Sequence, residues 1–309
     1  MLADEVEETV KKITALEIQG ARRIAQAAIK AMALQAKESD SKTLDGFKSD
    51  LLVAADALAK ARPTEPMLQN SLRLLFVQLE RHGHRAPRNV NEARRIILEQ
   101  EDLLLKHFDA SINSIGEFGS NLIPGHATVL THCHSTTVMA ALKQAFENKK
   151  EPRVICTETR PKQQGFITAK ELAEIGIDVT LIVDSAVKSV MSKVDLVLVG
   201  ADSITSTGDL INKIGTSGVA TIAKESDVPF HSCAELYKFD PLTIWGRTTE
   251  VEQRPAWEIA DPYQLKGVKI MNSAFDKTDA KYITGYITEK GVVSPHAIRE
   301  LAMQGFLGD

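Results

Sequence analysis

Long hydrophobic runs, cysteine pairs and aromatic side chains are scarce in this chain of 309 residues, and neither charge dominates. No apolar run reaches transmembrane length, and no basic segment followed by an apolar one opens the sequence. The three cysteines, Cys133, Cys156 and Cys233, lack the C-x-x-C spacing of metal sites. These absences predict a cytoplasmic protein in a reducing compartment, with no membrane contact.

The charge balance also narrows the class of partner. The net charge is −4, so bulk electrostatics do not favour nucleic acid or anionic membrane. Aromatic residues make up only 5% of the chain, which argues against the stacking platforms of single-strand binders. A small molecule is therefore the expected ligand.

Helical patterns fill the first third of the chain. Apolar residues recur every three or four positions over 6–34, 43–61, 66–81 and 89–118, with prolines at 63 and 66 between two of these stretches. From about residue 121, short apolar runs that predict strands, at 128–131, 153–157, 178–183, 195–199 and 229–233, alternate with helical ones. This alternation predicts βαβ units and a parallel sheet. We therefore expect an α/β protein with an all-helical N-terminal domain over 1–120 and a Rossmann-like catalytic domain over 121–309.

The most informative segment runs from residue 199 to residue 216. Its preceding apolar run, 195–199, is typical of a buried parallel strand and ends in Gly-Ala-Asp202. Asn212 and Lys213 are expected to open a helix after a polar turn. Ligands of open α/β sheets bind at the carboxyl ends of strands, and phosphates favour helix N-termini. An acid, an amide and an ammonium there predict an anionic substrate.

A thiol follows a second strand-like run, 128–131. Cys133 precedes a polar turn, Ser135-Thr136-Thr137, and a stretch with helical spacing. A lone cysteine is commonly a small core hydrophobe, which is our interpretation of Cys156 and Cys233. The polar strand-end position makes Cys133 the candidate for acid–base chemistry with Asp202. Asp202 as a turn cap and Asn212 as a helix N-cap are the structural alternatives.

Several segments match one superfamily in order. They are Gly20-Ala21-Arg22-Arg23-Ile24-Ala25, Arg62-Pro63-Thr64, Thr131-His132-Cys133, Glu158-Thr159-Arg160-Pro161, Gln164-Gly165, Thr168-Ala169, Gly200-Ala201-Asp202, Asn212-Lys213-Ile214-Gly215-Thr216, Lys238-Phe239-Asp240-Pro241, and Phe275-Asp276 with Thr278. With these segments the chain resembles the superfamily that contains the regulatory subunits of initiation factor 2B, methylthioribose-1-phosphate isomerase and archaeal ribose-1,5-bisphosphate isomerase.

The resemblance implies an isomerase, because both isomerase branches carry a Cys after Thr-His and an Asp after Gly-Ala. Cys133-His-Ser-Thr-Thr is similar to the ribose-1,5-bisphosphate branch and differs from the Cys-Asn-Ala-Gly-Ala of the methylthioribose branch. The implied reaction converts ribose 1,5-bisphosphate to ribulose 1,5-bisphosphate, in nucleotide (AMP) salvage that feeds Rubisco. A methylthioribose-1-phosphate isomerase and a non-catalytic regulatory subunit are the alternatives. A homo-oligomer is also implied, with dimers assembling into hexamers.

The same resemblance implies roles for individual residues. Cys133 would move the substrate proton as a base, with its pKa lowered by a helix N-terminus, and Asp202 would be the complementary acid. No metal or redox cofactor is needed, and His126, His132 and His134 lack further ligands at metal-site spacing. Family contacts carried over to the substrate are Gly20, Ala21, Arg22, Arg62, Ser135, Thr136, Thr137, Asn212, Lys213 and Lys238. Gln19 replaces a family arginine, which removes one charge near the first of these contacts.

Overall fold

The computed structural model describes residues 2–81, 86–248, 251–261 and 263–307. Its described residues form two compact units that divide between Ala110 and Ser111, inside one long helix. The sequence places this boundary ten residues later, at 120, where the helical pattern gives way to strands.

The first unit is helical, as its apolar spacing predicts. The stretch expected over 6–34 is two helices, because Leu16 and Gly20 adopt positive φ values of 62° and 87° between them. The Thr43 hydroxyl accepts the Gly46 N–H and caps the third helix. The helices are α1 Asp4–Thr14, α2 Ala21–Glu38, α3 Leu44–Ala61, α4 Pro66–Arg81 and α5 Val90–Leu122.

The second unit is built on a mostly parallel sheet, which confirms the predicted α/β class. Its remaining helices are α6 Thr136–Glu147, α7 Gln164–Glu174, α8 Val187–Val190, α9 Thr216–Glu225 and α10 Ile298–Leu307. Its strands are β1 Thr128–Thr131, β2 Arg153–Thr157, β3 Asp178–Ile182, β4 Leu196–Val199, β5 Ser203–Ile204, β6 Leu210–Lys213, β7 Phe230–Cys233, β8 Phe275–Thr278, β9 Gly285–Thr288 and β10 Gly291–Val293.

The large sheet has the strand order β10-β9-β7-β4-β1-β2-β3. All neighbouring pairs are parallel except β9 with β10. The chain winds outward from β1 to β3, returns to β4 on the other side of β1, and then continues outward. The order therefore reverses between β1 and β4, and open α/β sheets bind ligands at the carboxyl ends of such a strand pair.

Two hydrophobic cores cover the two faces of this sheet. Alternate residues of a strand point to opposite faces. Val129 and Leu198 accordingly belong to one core, and Leu130 and Val197 belong to the other. Burial on both faces explains why the strands read as continuous apolar runs. The predicted strand positions agree with β1, β2, β3, β4 and β7 to within one residue at each end.

A small antiparallel sheet, with the order β5-β6-β8, follows β4. It overturns one prediction, since Asn212 and Lys213 lie on strand β6 and do not open a helix. Helix α9 begins at Thr216, and its N-cap is Gly215, which has no side chain to cap with. Pairing with β5 and β8 satisfies the backbone hydrogen-bonding groups of β6. The β8 partner is distant in sequence, so the local pattern around Asn212 and Lys213 could not indicate this strand.

Candidate active site

Cys133 and Asp202 lie at the carboxyl ends of adjacent strands. Leu130 of β1 pairs with Val197 of β4, so the segments after both strands emerge at the same level. The Asp202 carboxylate and the Lys213 ammonium are close enough to the thiol to shift its pKa in opposite directions. The fold therefore brings together three of the residues that the sequence singled out.

Cys133 has a left-handed backbone, with φ 72°. This conformation is costly for a residue with a side chain and persists where surrounding contacts hold it. The Cys133 N–H donates to Thr159 Oγ1 (2.9 Å), and the Thr168 hydroxyl donates to the Cys133 carbonyl (3.1 Å). The thiol donates to Gln164 Oε1 at 3.5 Å. The segment from Thr159 to Thr168, which includes the start of α7, thus binds the N–H, the carbonyl and the thiol of Cys133.

The electrostatics of the thiol contradict the predicted lowering of its pKa. Burial raises the pKa of Cys133 to about 12, and the Asp202 and Asp184 carboxylates add to this effect. Lys213 and the His134 N–H act in the opposite direction but do not outweigh burial. The sequence could indicate a nearby helix start, but it could not indicate how far the folded chain excludes water from the sulfur.

His132 links the end of β1 to two other segments by hydrogen bonds. Its Nε2–H donates to the Ile214 carbonyl at 2.8 Å, because a carbonyl can only accept, and its Nδ1 accepts from the Thr157 hydroxyl at 2.6 Å. Burial lowers the pKa of His132, so the neutral imidazole fits both bonds. His132 therefore joins the ends of β1 and β2 to the loop that follows Lys213.

The β5–β6 hairpin returns the chain to the end of β4. The Asp202 N–H donates to the Ile211 carbonyl at 3.0 Å, which puts Asp202 beside the start of the Asn212-Lys213 pair. Buried Asn212 donates through Nδ2 to Thr216 Oγ1 at 3.0 Å. The Lys213 ammonium lies 5.1 Å from the centroid of the Phe275 ring, in a cation–π contact.

Asp276 occupies the N-terminus of α9. Its carboxylate accepts the Gly215 N–H at 2.7 Å and the Ser217 N–H at 3.1 Å. Burial raises the pKa of Asp276 to about 6, although these two hydrogen bonds oppose the rise. The helix terminus that the sequence assigned to a phosphate is therefore filled by a carboxylate from β8.

The polar turn after Cys133 caps helix α6. Ser135 Oγ accepts the Val138 N–H, and the buried Thr137 hydroxyl donates to the Cys233 carbonyl at 2.7 Å. Thr136 is exposed. A Cβ on Gly200 would lie 2.6 Å from Ser135 Oγ, so the end of β4 passes this turn with no room for a side chain. The contact of Ser135, Thr136 and Thr137 with substrate stays a prediction.

Two acidic residues at the next strand ends were not singled out from the sequence. Glu235 follows β7 and Glu289 follows β9, so both lie on the same edge of the sheet as Asp202. The Lys238 ammonium is 3.9 Å from a Glu235 carboxylate oxygen, and the Leu236 N–H donates to Glu289 at 3.1 Å. The signal available for Glu235 was its position shortly after the predicted strand 229–233. The sequence did not reveal β9, so Glu289 had no such signal.

The remaining predicted contacts lie in the helical unit. Gly20 is the N-cap of α2, and buried Ala21 is its first residue. Arg22 donates to the Phe108 carbonyl at 2.6 Å and to Asp109 at 2.7 Å. Arg62 Nη2 is 4.0 Å from Glu65 Oε1. Their role in phosphate binding stays a prediction.

The three histidines considered as metal ligands, His126, His132 and His134, have other contacts. His126 is 3.4 Å from exposed Glu151, whereas His134 Nδ1 bonds with the Thr168 hydroxyl at 3.0 Å. Within the parts of the chain that the structure describes, no three His, Cys, Asp or Glu side chains are grouped as metal ligands. None of the described helices combines the length and apolarity that a membrane crossing requires.

With this fold and site, the chain belongs to the initiation factor 2 subunit family, whose model matches residues 17–295. It is 44% identical to ribose 1,5-bisphosphate isomerase of Methanocaldococcus jannaschii, over 94% of this chain and 92% of that protein. It is 35% identical to methylthioribose-1-phosphate isomerase of Desulforamulus reducens, over 94% of this chain and 88% of that protein. Translation initiation factor eIF-2B of Pyrococcus horikoshii OT3 has a similar structure, with TM-score 0.82 and 28% identity over 95% of this chain and 98% of that one.

Proposed function

We propose that this protein is an isomerase that converts ribose 1,5-bisphosphate to ribulose 1,5-bisphosphate. The observation that carries the proposal is the meeting of Cys133 and Asp202 at the strand-order reversal between β1 and β4. The 44% identity to the Methanocaldococcus isomerase supports the choice of substrate. We further propose that the reaction belongs to nucleotide (AMP) salvage and that its product supplies Rubisco.

The reaction requires two proton transfers on carbon and two on oxygen. The C2 proton leaves, its electron pair forms the C1–C2 double bond, the C1–O4 bond breaks, and O4 takes up a proton. The resulting phosphoenol then loses the proton of its C2 hydroxyl, and C1 gains a proton to give the ketose. One acid–base pair that carries a single proton can complete this cycle and return to its starting state.

The protonated thiol indicates which member of the pair acts first as a donor. With the Cys133 pKa near 12, the shared proton lies on sulfur at rest. We assign O4 protonation to Cys133 and removal of the C2 proton to Asp202. In the second half, the thiolate takes the hydroxyl proton and Asp202 delivers its proton to C1. In this order Cys133 acts first as the acid and Asp202 as the base, which is the reverse of the roles expected from the sequence.

Cationic groups in the second unit suit a phosphorylated substrate. Lys213 follows the hairpin that returns to Asp202, and mostly buried Lys238 follows β7 on the same sheet edge. We propose that both bind substrate phosphate, together with Asn212. A neutral methylthio group would leave such donors unpaired, so we expect a preference for the bisphosphate over methylthioribose 1-phosphate.

The decisive experiment compares purified protein on both sugar phosphates, with product detected by phosphorus NMR. We expect turnover of ribose 1,5-bisphosphate and at least about a hundredfold lower kcat/KM on methylthioribose 1-phosphate. Equal efficiency would indicate the other isomerase branch. Binding of ribose 1,5-bisphosphate without turnover would indicate a regulatory subunit. Light scattering on the same sample tests the proposed assembly of dimers into hexamers.

A further inference from the structure

The thiol of Cys133 is held by one continuous segment of the chain. Thr159, Gln164 and Thr168, which bind the N–H, the thiol and the carbonyl of Cys133, all lie between the end of β2 and the middle of α7. Thr159 and Thr168 fix the backbone, whereas the Gln164 side chain contacts the reacting sulfur atom. Gln164 is therefore the member of this set that can influence the proton on sulfur directly.

The start of α7 is packed so closely that it determines where Gln164 points. A Cβ on Gly165 would lie 1.7 Å from the Thr157 carbonyl oxygen, so only glycine permits this approach of α7 to the end of β2. Gln163, just before it, has a left-handed φ of 55° and an exposed side chain. The two neighbouring glutamines thus differ, because one contacts the sulfur and the other faces solvent.

We infer that Gln164 is a positioning residue for Cys133, and that its amide oxygen accepts the S–H hydrogen bond and so keeps the proton on sulfur. An amide suits this task because its oxygen accepts without carrying charge. A carboxylate at the same place would repel the thiolate. The inference extends the proposed function, on which its catalytic meaning rests, but the state of the thiol can be measured without any substrate.

Other charged groups also act on the thiol and must stay constant in the test. They come from three directions: Lys213 from β6, Asp202 from the end of β4, and Asp184 from the segment after β3. Substitutions at 163 and 164 leave all three unchanged. A difference between those two variants therefore reports the contact with sulfur.

The experiment is the rate of Cys133 alkylation by iodoacetamide from pH 7 to pH 9, read by mass spectrometry of the Cys133 peptide. Below the thiol pKa this rate follows the thiolate fraction, so each unit of pKa changes it about tenfold. We expect Gln164→Glu to slow alkylation by about tenfold or more at every pH. Gln163→Glu adds the same charge at the exposed neighbouring position and should change the rate less than about twofold.

Gln164→Asn provides a second, uncharged variant if the glutamate variant does not fold. Its amide is one methylene shorter and cannot reach the sulfur, so we expect faster alkylation and a lower kcat on ribose 1,5-bisphosphate at unchanged KM. Alkylation rates equal to wild type in the folded position-164 variants would overturn the inference. Shifted alkylation in a protein that does not turn over the bisphosphate would support the inference and contradict the proposed function instead.

Discussion

The two halves of the sheet's carboxyl edge hold their functional groups by different chemistry. On the β1–β2 half, uncharged partners from Thr159, Gln164 and Thr168 surround Cys133. On the β4–β7–β9 half, the strands end in carboxylates, Asp202, Glu235 and Glu289, with Lys238 among them. We call these the neutral and the acidic half, after the direct partners of their functional groups. Burial and the neighbouring Asp202 and Asp184 carboxylates oppose a thiolate, which keeps a proton on sulfur.

The same comparison explains why catalysis needs one proton-transferring group from each half. An acid–base pair works when its two groups hold their protons differently at one pH. Uncharged hydrogen-bonding partners hold the thiol, and its charged neighbours act on it from other strands. Variants that change one half alone therefore separate the roles of the two groups.

The largest effect is expected from the neutral half, where Cys133→Ser replaces the thiol by a much weaker acid. We expect kcat to fall by about a hundredfold to ten-thousandfold, the usual range for a positioned acid–base group, with the circular dichroism spectrum unchanged. Cys156→Ala, a buried cysteine on β2, is the control and should affect stability more than kcat. Near-normal turnover by the serine variant would remove Cys133 from the mechanism.

On the acidic half, Asp202→Asn keeps the size and hydrogen-bonding capacity but cannot exchange a proton in the same way. We expect bound substrate with turnover reduced about a hundredfold or more. Asp195→Asn is a matched control, because exposed Asp195 precedes β4 at the opposite end and its carboxylate accepts the Thr128 N–H. If Asp202→Asn turns over normally and only Asp202→Ala unfolds, Asp202 is a turn cap.

The acidic half should also make stability depend on pH through Glu289. Burial raises its pKa to about 7 from 4.5, so the folded state binds the extra proton and stability falls as pH rises between these values. The free energy of unfolding of Glu289→Gln should therefore exceed that of wild type by up to about 3 kcal/mol at pH 8 and by almost nothing at pH 4.5. Urea unfolding at both pH values measures this difference, and exposed Glu300→Gln should show none. A gain independent of pH would contradict the assignment.

The smallest effect concerns substrate choice. Lys238→Met removes a mostly buried ammonium, which we expect to cost roughly 1–3 kcal/mol of bisphosphate binding. The preference for ribose 1,5-bisphosphate over methylthioribose 1-phosphate should then narrow by about tenfold or more in kcat/KM. Exposed Lys224→Met on α9 should leave the ratio unchanged. An unaltered ratio in Lys238→Met would place Lys238 outside the phosphate site.

The sequence predicted most of the helices and the five central strands because their periodicity is local. Helix α4 has the predicted bounds, and β1 and β2 were placed to the residue. Strand β6 was mistaken for a helix start, because Asn212 and Lys213 have no strand pattern of their own and depend on pairing with β8. Glu235 and Glu289 were missed for a related reason, since their proximity follows from strand order.

The amino-acid sequence by itself determined the α/β class, the change from helices to alternating strands, and the placing of a thiol and a carboxylate after two apolar runs. Only the tertiary structure decided that β1 and β4 are neighbours, which brings Cys133 to Asp202 across a long separation in sequence. The tertiary structure also decided the protonation state of the Cys133 thiol. Burial and charge act through space, so the pKa of Cys133 depends on Asp202, Asp184 and Lys213 from other strands.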